Sequence, residues 1–198
     1  VYASSSSVYG LNNKVPFSTA DSVDHQISLY AATKKSNDLM SHTYSHLYDL
    51  PTTGLRLFTV YGPWGRPDMS YFKFLIENRK KRSIKVYNFG KHQRSFTYID
   101  DVVLNLFKII SYYKKKNKKG ESSVFNLGNE KTIKLMDFLT TLEIVTNIKF
   151  KKKFVKKQLG DVEKTGANLK IEKNKFNLKF NFNLKEGLTK FYDWFKNY

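Results

Sequence analysis

The chain has 198 residues, 40% hydrophobic and 16% aromatic, which is enough apolar side chain for the core of one or two domains and too much for a disordered tail. No cysteine is present, excluding disulfides and thiolate chemistry, and no apolar run approaches the roughly 18 residues of a membrane span, so a cytoplasmic protein without a membrane segment is expected. Lys and Arg total 35 against 17 Asp and Glu, but the excess lies in Lys114 to Lys119, Lys151 to Lys157 and the Lys/Asn-rich tail without a base-reading motif, which argues against a nucleic-acid partner.

Val1 to Ser5 reads as the end of a buried strand that the chain enters directly, so a start inside a domain is expected. Ser4 to Ser7 then fall at the C-terminal edge of that strand, where open α/β sheets bind ligands, although four serines can equally be a polar turn. Leu11 to Ser28 carries turn formers and a proline and is expected to be loop. From Ser28 to Leu50 the spacing predicts a helix, with Leu39, Thr43 and Leu47 on one stripe, Met40 and Tyr44 beside it, and Pro51 and Gly54 as the stop.

This helix carries Tyr30 and Lys34, one turn apart and therefore on one face. Lowering a tyrosine from its ordinary pKa near 10 to about 7 takes about 4 kcal/mol. A unit charge about 4 to 5 Å away, at an effective dielectric of about 20, supplies roughly that much. In a closed site the pair can thus act as an acid/base catalyst, whereas on an open surface it is an ordinary contact. His42 and His46 share the same spacing but have no third ligand in the sequence, and no metal is expected.

Thr53 to Val60 reads as a second strand, which completes the strand-helix-strand unit of a parallel sheet. Next come a helix at Met69 to Lys81, a short strand at Lys85 to Asn88, and a strand at Phe96 to Ile99 that leads into a helix from Asp100 to Tyr113. Asp100 and Asp101 are expected to cap that helix and complement its dipole. Lys114 to Ser122 is expected to be a mobile loop, Val124 to Leu127 a strand and Lys134 to Thr146 a helix. Lys185 to Tyr198 should form an amphipathic helix presenting Leu188, Phe191 and Phe195. The 10 glycines nowhere form the Gly-x-x-Gly-x-x-Gly phosphate loop of a dinucleotide-binding fold.

Five segments occur in one order at close spacing: Val1 to Gly10, the Tyr30/Lys34 pair, Leu55 to Pro63, Gly65 to Met69, and Arg94 to Asp101. Together they resemble the extended short-chain dehydrogenase/reductases, the NAD-dependent sugar-nucleotide epimerases and dehydratases, and most closely the UDP-glucuronate 4-epimerases. The resemblance implies an α/β fold: residues 1–64 as the C-terminal part of a Rossmann-type doubly wound parallel sheet, and residues 65–198 as a smaller α/β substrate-binding lobe. Residues 92–113 are expected to pack back on the Rossmann part. It also implies roughly 120 residues ahead of Val1, several βαβ units with the glycine-rich loop among them, and hence an isolated chain that neither holds NAD tightly nor turns over.

Site roles follow residue by residue from the same resemblance. Tyr30 takes the proton of the sugar 4-hydroxyl while hydride passes from C4 to NAD, Lys34 lowers the tyrosine pKa and binds the nicotinamide ribose, and Ser5 bonds the same sugar oxygen. Ala3, Ser4, Phe58 and Val60 belong to the cofactor site. Ser6, Ser7 and Thr59 hold the sugar carboxylate, and Arg66 restrains the 4-keto intermediate, which decarboxylates unless its carboxylate is held. Tyr87 stacks on uracil, Arg94 pairs with the diphosphate, and Gln158 and Asp161 add nucleotide contacts. Ser6 and Ser7 replace the acid and base of a 4,6-dehydratase, which disfavours dehydration. Ser95 stands where the family usually has Asp, and the family's usual Asp near Asn168 is also missing, which leaves the orientation of Arg94 and the local packing open. The alternatives are a UDP-glucose 4-epimerase, a UDP-glucuronate decarboxylase and a non-catalytic sugar-nucleotide-binding remnant. Dimerisation through a four-helix interface that includes the Tyr30 helix is also implied.

Overall fold

The computed structural model describes residues 1–114 and 119–198, so residues 115–118 of the loop expected to be mobile lie outside the described residues. In chain order the elements are β1 (Tyr2–Ser5), a 3-10 turn (Ser6–Tyr9), α1 (Leu29–Tyr48), β2 (Thr52–Leu57), β3 (Thr59–Tyr61), α2 (Ser70–Arg79), β4 (Ile84–Val86), β5 (Gln93–Tyr98), α3 (Ile99–Lys114), β6 (Ser122–Leu127), β7 (Thr132–Lys134), α4 (Leu135–Thr146), β8 (Lys152–Phe154), α5 (Lys170–Phe176) and α6 (Leu184–Phe195).

The first sheet has the order β1-β2-β6, all parallel, with Ser4 opposite Arg56 and Arg56 opposite Asn126. Side chains alternate across β2. Leu55 joins Phe125, Leu127, Val102 and Ile109 under α3, whereas Arg56 reaches Asp38 on α1. Helices therefore cover both faces, as a parallel sheet requires. Gly54 has a steric reason: a Cβ there would lie 2.5 Å from the Tyr2 ring, which crosses the strand at that point. The strand expected to be wholly buried is not, since Ala3 is exposed.

Ser28 starts α1 by accepting a hydrogen bond from the Ala31 amide, and Asp49 ends it in the left-handed conformation at φ 53°. The expected apolar stripe faces away from the sheet. Leu39, Met40, Tyr44 and Leu47 are exposed, and α1 instead buries Ala31, Asp38 and Ser45. On α3, Val103, Leu104, Phe107 and Ile110 are exposed as well.

The strand expected at Thr53 to Val60 is two strands in two sheets. It breaks at Phe58, whose ring is buried with Val8, Tyr9 and Phe17 and whose amide donates to Leu127 O at 3.1 Å. β3 pairs in parallel with β5, which pairs antiparallel with β7. An aromatic core of Tyr61, Tyr71, Phe72, Phe96, Phe138 and Phe191 joins this sheet to α2, α4 and α6. Asn183 and Glu186 form a capping box at the start of α6, which buries Leu188, Phe191 and Phe195 as its pattern predicts.

β4 and β8 form a small parallel pair. The strand expected to run to Asn88 ends at Val86, where a 3-10 turn (Tyr87–Gly90) begins with Asn88 and Phe89 at φ 49° and 50°. β7, β8 and α5 are elements that the sequence pattern did not predict. Asp101 departs from its expected capping role: it is buried, and its two carboxylate oxygens accept from the amides of Asn181 and Phe182 at 2.8 and 3.1 Å. It ties the C-terminal segment to α3. Among the described residues no helix is long and apolar enough to cross a membrane.

Candidate active site

The β1-α1 crossover brings the first turns of α1 against the end of β1, where Lys34 Nζ donates to Ala3 O at 3.0 Å. The ammonium is 5.9 Å from the centroid of the Tyr30 ring. Tyr30 is 49% exposed among the residues present. Ser5 is buried; its hydroxyl accepts from the Ser7 amide and donates to Ser7 Oγ, both at 3.2 Å, and so caps the 3-10 turn that carries Ser6 and Ser7. Ser4 is buried beside it, and its hydroxyl has no hydrogen-bond partner. Phe58 offers little beyond its carbonyl, because its ring is core and its amide is taken, while Val60 packs in the cluster under α3.

Behind this turn lies a buried polar layer that the sequence reading did not single out. Asp38, one turn beyond Lys34, lies 3.4 Å from Arg56, with both side chains under a tenth exposed. The Arg56 guanidinium lies 5.0 Å from the centroid of the Tyr9 ring, and Tyr9 Oη donates to Asn126 Oδ1 at 2.6 Å. Burial pushes the Tyr9 phenol up, against the opposing pull of Arg56. Burial likewise raises Glu172, which accepts from the Asn126 amide at 2.8 Å. The one local signal for Asp38 was its place on the Tyr30/Lys34 stripe.

A cavity of about 620 Å³ opens between α2, β4 and β5, and it brings together Thr59, Tyr87, Arg94, Gln158 and Asp161 of the expected substrate residues. Ser6, Ser7 and Arg66 are not in its lining. Arg66 is exposed and pairs with Asp68 at 3.4 Å. Arg94 is tightly held: Nη2 lies 2.7 Å from Asp161 Oδ1, and Nη1 donates to the carbonyls of Gln93 and Glu163 at 3.0 and 2.9 Å. Burial lowers the Arg94 pKa, and Asp161 opposes that. The Asp161 carboxyl is pushed up by burial, but His92 and Arg94 outweigh this and hold it below its ordinary value.

The two departures from the family pattern have local explanations. Ser95 donates to Asn129 O and leaves Arg94 to Asp161, while Asn168 Oδ1 accepts from the Lys170 amide at 3.1 Å. His92 also lines the cavity and was not anticipated. His42 and His46 gather no third metal-ligating side chain among the described residues.

Residues 1–128 match the NAD dependent epimerase/dehydratase family. Protein CapI of Staphylococcus aureus is 45% identical over 100% of this chain and 63% of its own length. UDP-glucuronate 4-epimerase 4 of Arabidopsis thaliana is 44% identical over 100% of this chain and 48% of its own length. The crystal structure of UDP-glucuronic acid 4-epimerase from Bacillus cereus, in complex with UDP-glucuronic acid and NAD, superposes with a TM-score of 0.84 at 30% identity, covering 98% of this chain and 60% of that one. The chain thus spans less than two thirds of each of these relatives.

Proposed function

The chain belongs to the NAD dependent epimerase/dehydratase family, and from that membership we propose that the whole protein is an NAD-dependent UDP-sugar 4-epimerase converting UDP-glucuronate to UDP-galacturonate. The observation that carries this reading is the tether from Lys34 Nζ to Ala3 O, which fixes the Tyr30/Lys34 turn to the strand end beside Ser4–Ser7. The relatives named for this activity, and the bound molecules of the Bacillus cereus structure, support the choice of substrate and cofactor.

The surface at the end of β1 fits a cofactor ribose and nicotinamide. Ala3 is exposed there, the Ser4 hydroxyl is unpartnered, and Lys34 presents an ammonium. NAD, when bound, accepts and returns the C4 hydride. The residues of this chain manage the rest. Tyr30 Oη takes the 4-hydroxyl proton as the 4-keto sugar forms and gives it back after the sugar has turned its other face. Lys34 stabilises the phenolate, and Ser5 holds the reacting oxygen. Ser6, Ser7, Thr59 and Arg66 restrain the carboxylate and so oppose its loss. In the cavity, Tyr87 takes the uracil, Gln158 and Asp161 support the nucleotide, and the Arg94 fork faces the diphosphate, a pairing that suits planar bidentate donors.

Residues 1–64 belong, in this proposal, to the dinucleotide-binding part and residues 65–198 to the sugar-nucleotide lobe. Residues 92–113 return to the first part, which the packing of Val102 and Ile109 on Leu55 and Phe125 supports. A cytoplasmic homodimer formed through a four-helix interface that includes α1 completes the reading.

The test is product analysis of the complete protein supplied with NAD and UDP-glucuronate. UDP-galacturonate that forms with native protein and not with Tyr30→Phe is the expected result. A UDP-pentose instead identifies a decarboxylase, and exclusive use of UDP-glucose identifies the neutral-sugar enzyme. Binding of UDP-sugar without any turnover leaves only the binding remnant.

A further inference from the structure

We propose that His92 is a further ligand of the diphosphate, donating to it alongside Arg94 when its imidazole is protonated; the inference rests on the sugar-nucleotide reading above. His92 is 6% exposed yet lines the cavity, and its carbonyl accepts from the Leu135 amide at 2.8 Å, which fixes the backbone that presents it. Its Nε2 lies 3.0 Å from Asp161 Oδ2 but makes no aligned hydrogen bond. On the other oxygen of the same carboxylate is Arg94 Nη2, at 2.7 Å. Asp161 thus draws two nitrogen groups from β5 and the segment before it towards one point of the wall.

The charge of the lining gives His92 its weight. Lys73, Lys85 and Arg94 face Asp68, Glu77 and Asp161, and Asp68 is itself paired with Arg66 just outside the lining, so cations and carboxylates nearly balance while the imidazole is neutral. These charges come from α2 and the turn before it, from β4, from β5 and from the segment that holds Asp161. The lining residues of β7 and α4, Ile133 and Leu135, are apolar. The Glu163 carboxylate accepts from Asn88 at 3.4 Å. Protonating His92 adds a positive charge beside Arg94, and histidine is the side chain that changes charge between pH 5 and 8. A bound diphosphate would favour the protonated form, and binding would take up a proton.

The experiment is calorimetric titration of the complete protein with UDP-glucuronate at pH 6, 7 and 8. Both phosphates of that compound are esterified and keep their charge over the range, and uridine is the phosphate-free control. The native protein should bind UDP-glucuronate about tenfold more weakly at pH 8 than at pH 6, the scale of one charge-assisted hydrogen bond. His92→Gln should vary less than about twofold over the same range, and uridine should show no trend with either protein. In parallel, the titration midpoint of the His92 Cε1 proton, followed by NMR on native protein, should rise when UDP-glucuronate is added. A flat native profile, an unmoved His92 midpoint, or a His92→Gln variant that keeps the native slope would overturn the role of His92 while leaving the sugar-nucleotide reading intact. Failure of UDP-glucuronate to bind at pH 6 would overturn both.

Discussion

Replacing Asp38 by Asn asks whether the helix that carries Tyr30 and Lys34 is held to the sheet by charge. Unit charges at the 3.4 Å that separates Asp38 from Arg56 attract by about 5 kcal/mol at an effective dielectric of about 20. Desolvation of the two ions consumes much of that, so the intact pair contributes little net stability. Removing one partner is a different perturbation. Among the described residues Arg56 Nε and Nη1 are buried without hydrogen-bond partners, and in Asp38→Asn the guanidinium would lose the Asp38 carboxylate and keep only neutral neighbours there, the Tyr9 ring and the amide oxygen of the new side chain. An uncompensated buried charge of this kind costs about 3–5 kcal/mol, a large share of the roughly 5–15 kcal/mol that stabilises a typical domain.

The assay is urea denaturation followed by circular dichroism, on Asp38→Asn and on the cycle of Asp38→Leu, Arg56→Met and their double variant Asp38→Leu/Arg56→Met. Asp38→Asn should lose about 3–5 kcal/mol, and the double variant should lose distinctly less than the sum of the single changes, because it buries no charge. The same variant should lower NAD-dependent turnover by more than it weakens UDP-sugar binding, since Asp38 continues the Tyr30/Lys34 stripe and the cavity does not include it. A loss below about 1 kcal/mol for Asp38→Asn, or strict additivity in the double variant, would refute the reasoning.

Arg66→Ala should change stability by less than about 0.5 kcal/mol, because the exposed Arg66–Asp68 pair is worth little. It should nevertheless lower epimerase turnover and raise the share of decarboxylated product; an unchanged product ratio in a chromatographic assay would contradict the restraining role. Glu143 is buried, and its Oε1 accepts from the Phe150 amide at 2.9 Å and from Lys152 Nζ at 2.6 Å. Burial pushes its carboxyl up, but those donors prevail and hold it below its ordinary value. Its contribution is therefore present above the unfolded value near 4.3 and is lost as pH falls through the folded value. Glu143→Gln should cost about 1–2 kcal/mol at pH 7, with the gap to native narrowing as pH falls below the unfolded value, as read from urea midpoints. Leu47→Asp, on the exposed row of α1, should shift a homodimer of the complete protein to monomer in light scattering at unchanged helix content, and a persisting dimer would remove that row from the interface.

The elements legible in the sequence were those whose burial is decided locally and repeated often. α6 shows its apolar positions through three turns, and α1 is bounded by Ser28 at its start and by Asp49 and Pro51 at its end. β7 and β8 have three residues each, too few alternations to register, and β8 is drawn from a lysine run whose place in a sheet depends on β4 being there to pair. On α1 periodicity gave the helix correctly but not its orientation. An apolar stripe marks a face without saying what covers it, and here the sheet receives Ala31, Asp38 and Ser45 instead. Asp101 carried a sound local signal for a cap, and two amides at the far end of the chain overrode it.

The candidate site divides along the same line, between atoms that react and atoms that hold them. In the proposed function Tyr30, Lys34 and Ser5 supply the atoms that react, and they are read from a motif because such chemistry requires fixed residue types at fixed spacing. What fixes Arg94 could not be read so. The neighbouring Ser95 gives the guanidinium no anion, and the anion that serves it, Asp161, lies 67 residues away on a segment brought in by the β4-β8 pair. His92 enters the site through that same carboxylate. A change at Ser95 is thus tolerable only while Asp161 stays in place, and Asp161→Asn should weaken binding of UDP-glucuronate more than a Ser95→Ala change does. Equal losses would mean that Arg94 is oriented by the carbonyls of Gln93 and Glu163 alone.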